Sequence, residues 1–334
     1  MATTATRHRT DPRPAAARLA GVLAAAAALA LVPAPASAAP APAVPVPPAP
    51  APPVGHAVRC SSAADPELAE RLARDIAEAV RGRQSTLALA VRDSGTGVSC
   101  FLDPGRHFDS ASIVKVTIMG AVLRLAQDED RPLTPFEEEN LRPMITRSDN
   151  AAAVRLWKYV GPARMRNFLD LAGMYDTVLS ADGFGLTQVT AGDELKQLDV
   201  YATDSDVLTP EHRSYGLQLM AEVEEDQRWG TPFGAPPGVT THVKNGWLQR
   251  ATHGWRVHSL GIFTAPDRVY RIAVLTDDDP TESYGIGTVQ RVSQQVHRDL
   301  AGRADADPTR LAPGVPDLAA PETGDGSVPN TVGR

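Results

Sequence analysis

The sequence predicts an α+β fold in which one antiparallel sheet, flanked by terminal helices, carries an inserted all-α lobe. Three observations carry this expectation. Strand-like runs occur at two separated places, around 86–102 and 241–277. Between them, from 112 to about 222, apolar residues recur at helical spacing. Helical patterns also open and close the portion, so strands from both ends can meet in one sheet between them.

In chain order, "DPELAERLARDIAEAVRG" (65–82) has Asp65 as N-cap, Pro66 at the first helical position and Gly82 at its end. Next comes "TLALAVRDSGTGVSCFLDP", two strand runs around the turn signal Asp93-Ser94-Gly95-Thr96-Gly97. In the helical block, Thr134-Pro135-Phe136-Glu137 reads as a capping box, Gly161 and Gly173 stand where helices stop, and Thr209-Pro210 starts another. After "WGTPFGAPPGV" the period changes to strands in "THVKNGWLQR", "GWRVHSLGIFTA" and "RVYRIAVLTD". The helix "GTVQRVSQQVHRDL" closes the domain, which is expected over 57–303: a sheet lobe (57–110 plus 235–303) and a helical lobe (111–234).

Both termini read differently. Arg7, Arg9, Arg13 and Arg18 precede "LAGVLAAAAALALV", and "ASA" at 36–38 supplies small residues for cleavage. Residues 1–38 are therefore expected to be a signal peptide, Ala39 the mature start and the protein secreted; a spanning helix needs about 20 apolar residues. The Pro/Ala-rich segment 39–56 is an extended linker, and 304–334 lacks any period and reads as a disordered tail.

The 334 residues carry a net charge of −7, with no basic stripe, which excludes nucleic acid as the main partner. Eight histidines lie without metal-ligand spacing and no cofactor motif occurs, so neither a metal nor a cofactor is expected. Cys60 and Cys100 are the two cysteines. Export favours a bridge between them over two free thiols, and no catalytic-cysteine signature surrounds either.

Only four lysines, Lys115, Lys158, Lys196 and Lys244, occur among 33 basic residues. Arginine serves wherever charge alone suffices, whereas a general base must release a proton, which lysine does when desolvated near other cations. Ser112 lies three residues before Lys115, so on a helix both share a face and the amine can reach the serine oxygen. The helix start adds backbone N–H groups suited to an oxyanion. Ser148-Asp149-Asn150 opens another helix and Lys244-Asn245-Gly246 lies on a strand. Taken alone, these are also a good N-cap cluster and a good turn signal.

In this order and setting, Ser112-x-x-Lys115, Ser148-Asp149-Asn150 and Lys244-Asn245-Gly246 resemble the motifs of the serine β-lactamase and penicillin-binding-protein superfamily, class A β-lactamases above all. The resemblance runs from about 57 to 303. It implies a β-lactamase-like α+β fold and an acyl-serine mechanism with Ser112 as nucleophile and Lys115 as its base. Ser148 would relay a proton to the leaving group, and Asn150 would orient the substrate amide and Lys115. Lys244 would hold the site positive and attract a substrate carboxylate, with Asn245 and Gly246 also contacting substrate. The backbone N–H groups of Ser112 and Trp247 would form the oxyanion hole, while Ser110 caps or lines the approach.

Two departures qualify what the resemblance implies. Class A enzymes use a loop glutamate to activate the deacylating water, but "MYDTVLSADGFGLTQV" contains none; Asp176 and Asp182 are its only acids, and Asp182 is the candidate substitute. Asn245 stands where the family usually has a hydroxyl residue. The expected partner is thus a small-molecule or peptide substrate, carboxylate-bearing, with a β-lactam or cell-wall peptidoglycan as candidates. The readings carried forward are a serine hydrolase, a D,D-peptidase, and a binding module without turnover. His107, His242, His258, Trp229, Trp247 and Trp255 read as packing or surface residues near the motifs, Lys158 as a helix-end cation and Lys196 as a solvated face.

Overall fold

The computed structural model describes residues 57–301. The signal peptide, the Ala39 start, the linker and the tail expected from the sequence lie outside the described residues.

Strand β1 (Arg59–Ser61) leads into helix α1 (Pro66–Ala79), where the Asp65 side chain caps Leu68 N–H as its position foretold. The hairpin follows as β2 (Thr86–Asp93) and β3 (Ser99–Leu102). Its Asp93 carboxylate accepts the Gly95 and Thr96 N–H groups, so the turn is closed by its own first residue. After β4 (His107–Asp109) and one 3₁₀ turn (Ala111–Ile113) come the helices α2 (Val114–Asp128), α3 (Pro135–Thr146) and α4 (Asn150–Leu171). The Thr134/Glu137 capping box at α3 is formed in both directions. The α4 backbone breaks at Gly161, whose φ of 71° and following Pro162 end one helical run and start another.

A short strand β5 (Gln188–Thr190) precedes α5 (Ala191–Ala202) and α6 (Pro210–Ala221). Strand β5 pairs antiparallel with β4, which corrects the expectation of a strand-free middle block. Then come β6 (Thr240–Gln249), β7 (Trp255–Ala265), β8 (Arg268–Asp279) and α7 (Glu282–Ala301). The main sheet has the order β1-β3-β2-β8-β7-β6, so the strands from the two ends of the domain meet at the β2/β8 seam and β6 is a terminal strand.

Two apolar layers hold the sheet. On one face α1 and α7 pack Leu72, Ile76, Val292 and Val296 against Leu89, Ile272 and Val274. On the other, Ile113, Val116 and Met119 join α3–α6 in a single core with Ala90, Leu260 and Ala273. Helix α2 is therefore buried on nearly every side, including Lys115, and a polar group placed there must be satisfied by protein. Close packing decides Gly120, where a β-carbon would lie 2.2 Å from the Phe168 ring. Cys60 and Cys100 face each other across β1 and β3 and form a disulfide. Among the described residues no helix is long and apolar enough to cross a membrane.

Candidate active site

Ser112 sits on the 3₁₀ turn entering α2, and Ala111 before it adopts a φ of 47°, a backbone state that disfavours alanine. The strain raises the chain out of β4 and sets Ser112 at the helix entrance. Ser112 is fully buried and its Oγ has no hydrogen-bond partner.

Lys115, also fully buried, donates to the Ser148 carbonyl at 2.6 Å, to Ser148 Oγ at 2.9 Å and to Asn150 Oδ1 at 2.6 Å. The expected contact between Lys115 and Ser112 Oγ is therefore not made. Three acceptors on the α3–α4 connection outcompete one hydroxyl on the tighter 3₁₀ turn. Ser148 is itself held at φ 56°, which turns its carbonyl and side chain to the same amine. Asp149 between them caps α4 by accepting Ala152 N–H at 2.7 Å. The Ser-Asp-Asn triplet thus works both as helix cap and as lysine cradle.

Lys244, buried on β6, donates to Ser148 Oγ at 3.0 Å and to the Asn245 carbonyl at 2.7 Å. Two ammonium groups therefore converge on one hydroxyl oxygen. Both lone pairs of Ser148 Oγ are then engaged, and its proton is what it has left to offer. Gly246 lets β6 run against the Ser112 turn: a β-carbon there would lie 2.8 Å from Ser112 N and 2.9 Å from Ile113 N. That approach brings the strand carrying Trp247 alongside the Ser112 amide. Trp247 is half-buried and meets Trp229 edge-on at 5.8 Å.

Asn245 does not present an N–H to the site, as a carboxylate contact would require. Its Nδ2 donates to the carbonyls of Gln227 (2.8 Å) and Trp229 (2.9 Å). Asp182 is exposed, and its N–H closes a turn on Ser180 Oγ. Among the described residues its carboxylate makes no hydrogen bond or ion pair. Asp176 is exposed and contributes backbone contacts to Asp193 and His107. The side chain that this loop turns toward Lys115 is Phe184, whose ring centre lies 5.6 Å from Nζ. Ser110 makes no side-chain cap; its Oγ donates to the Ala111 and Phe184 carbonyls, 3.3 Å each.

Glu194 on α5 escaped the sequence reading. It is fully buried, and burial together with the Asp193 charge pushes its carboxyl well above the usual range. It accepts from Gln197, which in turn accepts from Thr117 on α2. Lys196 keeps a side chain 43% exposed on α5, the solvated face expected of it, and from there bonds Asp193 and the Gly173 carbonyl. His258 was expected to pack, and it does so fully buried.

Comparison with known proteins bears on the fold. Residues 138–300 match the model of a family described as the beta-lactamase enzyme family. A β-lactamase from Sphaerobacter thermophilus superposes with a TM-score of 0.60 at 20% identity, covering 70% of this chain and 97% of that one. The extended-spectrum β-lactamase TLA-3 gives 0.62 at 17% identity, covering 70% and 99%. PBP-A gives 0.58 at 19% identity, covering 70% and 96%. The architecture is thus the α+β fold of these β-lactamases.

The family-model match covers just under half of the chain, and the solved structures share its fold. LppW of Mycobacterium tuberculosis, named as a lipoprotein, is 26% identical over 197 residues, 57% of this chain. The chain spans about 62% of the length of that relative.

Proposed function

We propose that the protein is an exported serine hydrolase that opens an amide or ester through an acyl-Ser112 intermediate. The observation that carries this reading is the convergence of Lys115 and Lys244 on Ser148 Oγ, beside a buried Ser112 whose own hydroxyl is uncommitted. Lys115, once it has given up a proton and with it one of its three donated hydrogen bonds, is the neutral amine that takes the Ser112 proton as Oγ attacks the carbonyl carbon. The charge that develops on the carbonyl oxygen falls to the Ser112 and Trp247 N–H groups. Ser148 passes its proton to the leaving group and is resupplied from the lysines. Asn150 fixes Lys115 through its Oδ1, and Lys244 keeps the site positive. Export rests on the N-terminal sequence, with a relative named as a lipoprotein in support.

Release of the acyl group is the weak step. A phenyl ring, Phe184, faces Lys115 from the loop where an acid would be needed, and burial raises the Glu194 carboxyl, which disfavours its charged form. A positioned base is worth about 10²- to 10⁴-fold, so a β-lactam adduct on Ser112 is long-lived. That favours a second reading within the superfamily, a D,D-peptidase acting on cell-wall peptides, over an efficient β-lactamase.

The test is an intact-mass time course of the full chain with a penicillin and a cephalosporin, beside Ser112→Ala. A stable adduct absent from Ser112→Ala supports the peptidase reading. An adduct that clears within minutes identifies a β-lactamase. An adduct that persists in Ser112→Ala removes Ser112 as nucleophile.

A further inference from the structure

The end of β8 carries a constellation that the acyl-serine chemistry leaves unused. Opposite the single residue Arg256, β8 places two residues, Asp277 and Asp278, because the register steps from Trp255–Asp279 to Val257–Thr276. This bulge, with Asp278 at φ 59°, breaks the alternation of the strand and lets two consecutive carboxylates approach one another. His253 joins them from the turn between β6 and β7. Its Nδ1 lies 2.8 Å from Asp278 Oδ1, and its carbonyl accepts the Asp278 N–H. One ligand atom from each of the three side chains lies within 4.8 Å of the other two. His253 and Asp278 are 25 apart in sequence, so no ligand spacing announces the cluster.

Asp277 is the member that asks for a ligand. It is 6% exposed, and its Oδ1 is buried without a hydrogen-bond partner. Arg106 Nη2 stands 3.9 Å from that oxygen, beyond hydrogen-bond reach, on a side chain 42% exposed. Arg256, across the bulge, is committed elsewhere: its Nη2 pairs with Asp109 and its Nη1 donates to the Thr252 and Gly254 carbonyls. A buried carboxylate oxygen without a donor is costly, and native structures that keep one hold a water, an ion or a ligand there.

We infer that His253, Asp277 and Asp278 form a binding site for a divalent transition-metal ion, Zn²⁺ by their donor set. One imidazole nitrogen with two carboxylate oxygens suits that ion, and three protein ligands leave a fourth position to water. Ca²⁺ and Mg²⁺ fit less well, since both require a larger shell of oxygens. Ligands about 2.1 Å from a tetrahedral ion are about 3.4 Å apart, so the set has to close by roughly an ångström. His253 and Asp278, with side chains 55% and 37% exposed, are free to make that movement, while burial holds Asp277. The dication takes the place of the proton between His253 Nδ1 and Asp278 Oδ1, which passes to solvent. Thr86 Oγ1 donates to Asp278 Oδ2 at 2.6 Å and so fixes that carboxylate with Oδ1 left for the ion.

The experiment titrates the full chain, first freed of metal by a chelator, with Zn²⁺ by calorimetry and with Co²⁺ by visible absorption, beside His253→Gln and Asp277→Asn. The wild-type protein should bind Zn²⁺ with a Kd below about 100 µM, and each variant should weaken that binding at least about tenfold. The Co²⁺ absorption should fall in the same two variants. Wild-type binding weaker than about 100 µM overturns the inference, and so does equal binding in His253→Gln, which would put the ion elsewhere. His253→Gln alters an exposed turn side chain, so it decides alone if Asp277→Asn does not fold. No arm reads Ser112 labelling, so failure here leaves the acyl-serine reading as it stands.

Discussion

The Nε2 of His258 lies 2.9 Å from the carbonyl oxygen of Asp109, three residues before Ser112. Its Nδ1 accepts the Thr276 N–H at 3.2 Å, so the ring is neutral with its proton on Nε2. The Asp109 carboxylate meanwhile takes Gln188 Nε2 (2.6 Å), Arg250 Nη1 (3.1 Å) and Arg256 Nη2 (3.3 Å). One residue thus ties β5 and β7, with the turn after β6, to the entrance of the Ser112 turn. Asp109→Ala strands the buried Arg256, and breaking such a pair costs about 3 kcal/mol. Urea denaturation should show that loss and β-lactam labelling of Ser112 should slow; a variant as stable as wild type would refute the knot.

Local chemistry explains which elements were legible in advance. The Asp65 cap, the Thr134 box and the 93–97 turn are decided by residues within a few positions of one another, and the long strands of the main sheet show their own periodicity. The pairing of β4 with β5 was not legible. Each strand has three residues, too few to alternate, and the pairing joins residues some 80 apart. Ala111 at φ 47° runs against its own preference and is imposed by packing. The motif lysine could be named from sequence, but its partner could not: Lys115 turns to Ser148 and Asn150 because the α3–α4 connection offers better acceptors. The direction of the Asn245 amide depends likewise on Gln227 and Trp229, distant carbonyls with no sequence signal.

Lys115→Arg separates charge from basicity. Arginine keeps the positive charge but cannot release a proton, so acylation of Ser112 should fall by about 10²- to 10⁴-fold. The larger head group must also enter a fully buried slot, so stability should drop by about 1–3 kcal/mol. Labelling at the wild-type rate in a folded variant would end the assignment of Lys115 as base.

Gly246→Ala tests the close approach of β6. Its new methyl would lie 2.8 Å from Ser112 N, 2.9 Å from Ile113 N and 3.2 Å from Ala111 Cβ. The first two are main-chain atoms, so the nucleophile turn must move. Stability should fall by about 1–3 kcal/mol, and acylation should fall out of proportion because Ser112 and Trp247 shift relative to each other. Unaltered acylation would show that the two backbones do not act together.

The Cys60–Cys100 bridge closes a segment with a sequence separation of 40. In the loop-entropy picture this contributes about 4 kcal/mol through the unfolded chain. Cys60→Ser/Cys100→Ser should lower the urea midpoint accordingly while leaving Ser112 labelling of the folded fraction intact, since β1 and β3 lie at the end of the sheet opposite β6. Loss of labelling in the folded double variant would tie the bridge to the site.

Acid titration should expose two opposing groups of residues. Burial lowers His258 and His297 to about 4. Both are neutral in the fold, so their contribution is complete above the ordinary value near 6.5 and is lost as pH falls toward 4, about 3 kcal/mol for each. Burial raises Asp277 and Asp279 to about 6, with the Asp278 charge adding to the effect at Asp277. Their sign is opposite: the charged forms oppose folding above pH 6, and stability returns as pH falls toward their ordinary value. Asp93 and Glu137, which burial would raise but Arg268 and Arg131 hold low, contribute their losses below this window. The wild-type melting temperature should therefore vary less between pH 6.5 and 4 than the histidines alone dictate. Asp277→Asn removes one counterweight, so its melting temperature relative to wild type should be highest and level above about pH 6 and decline from there to pH 4. A difference that stays constant across that range would mean Asp277 does not titrate near 6 in the folded protein.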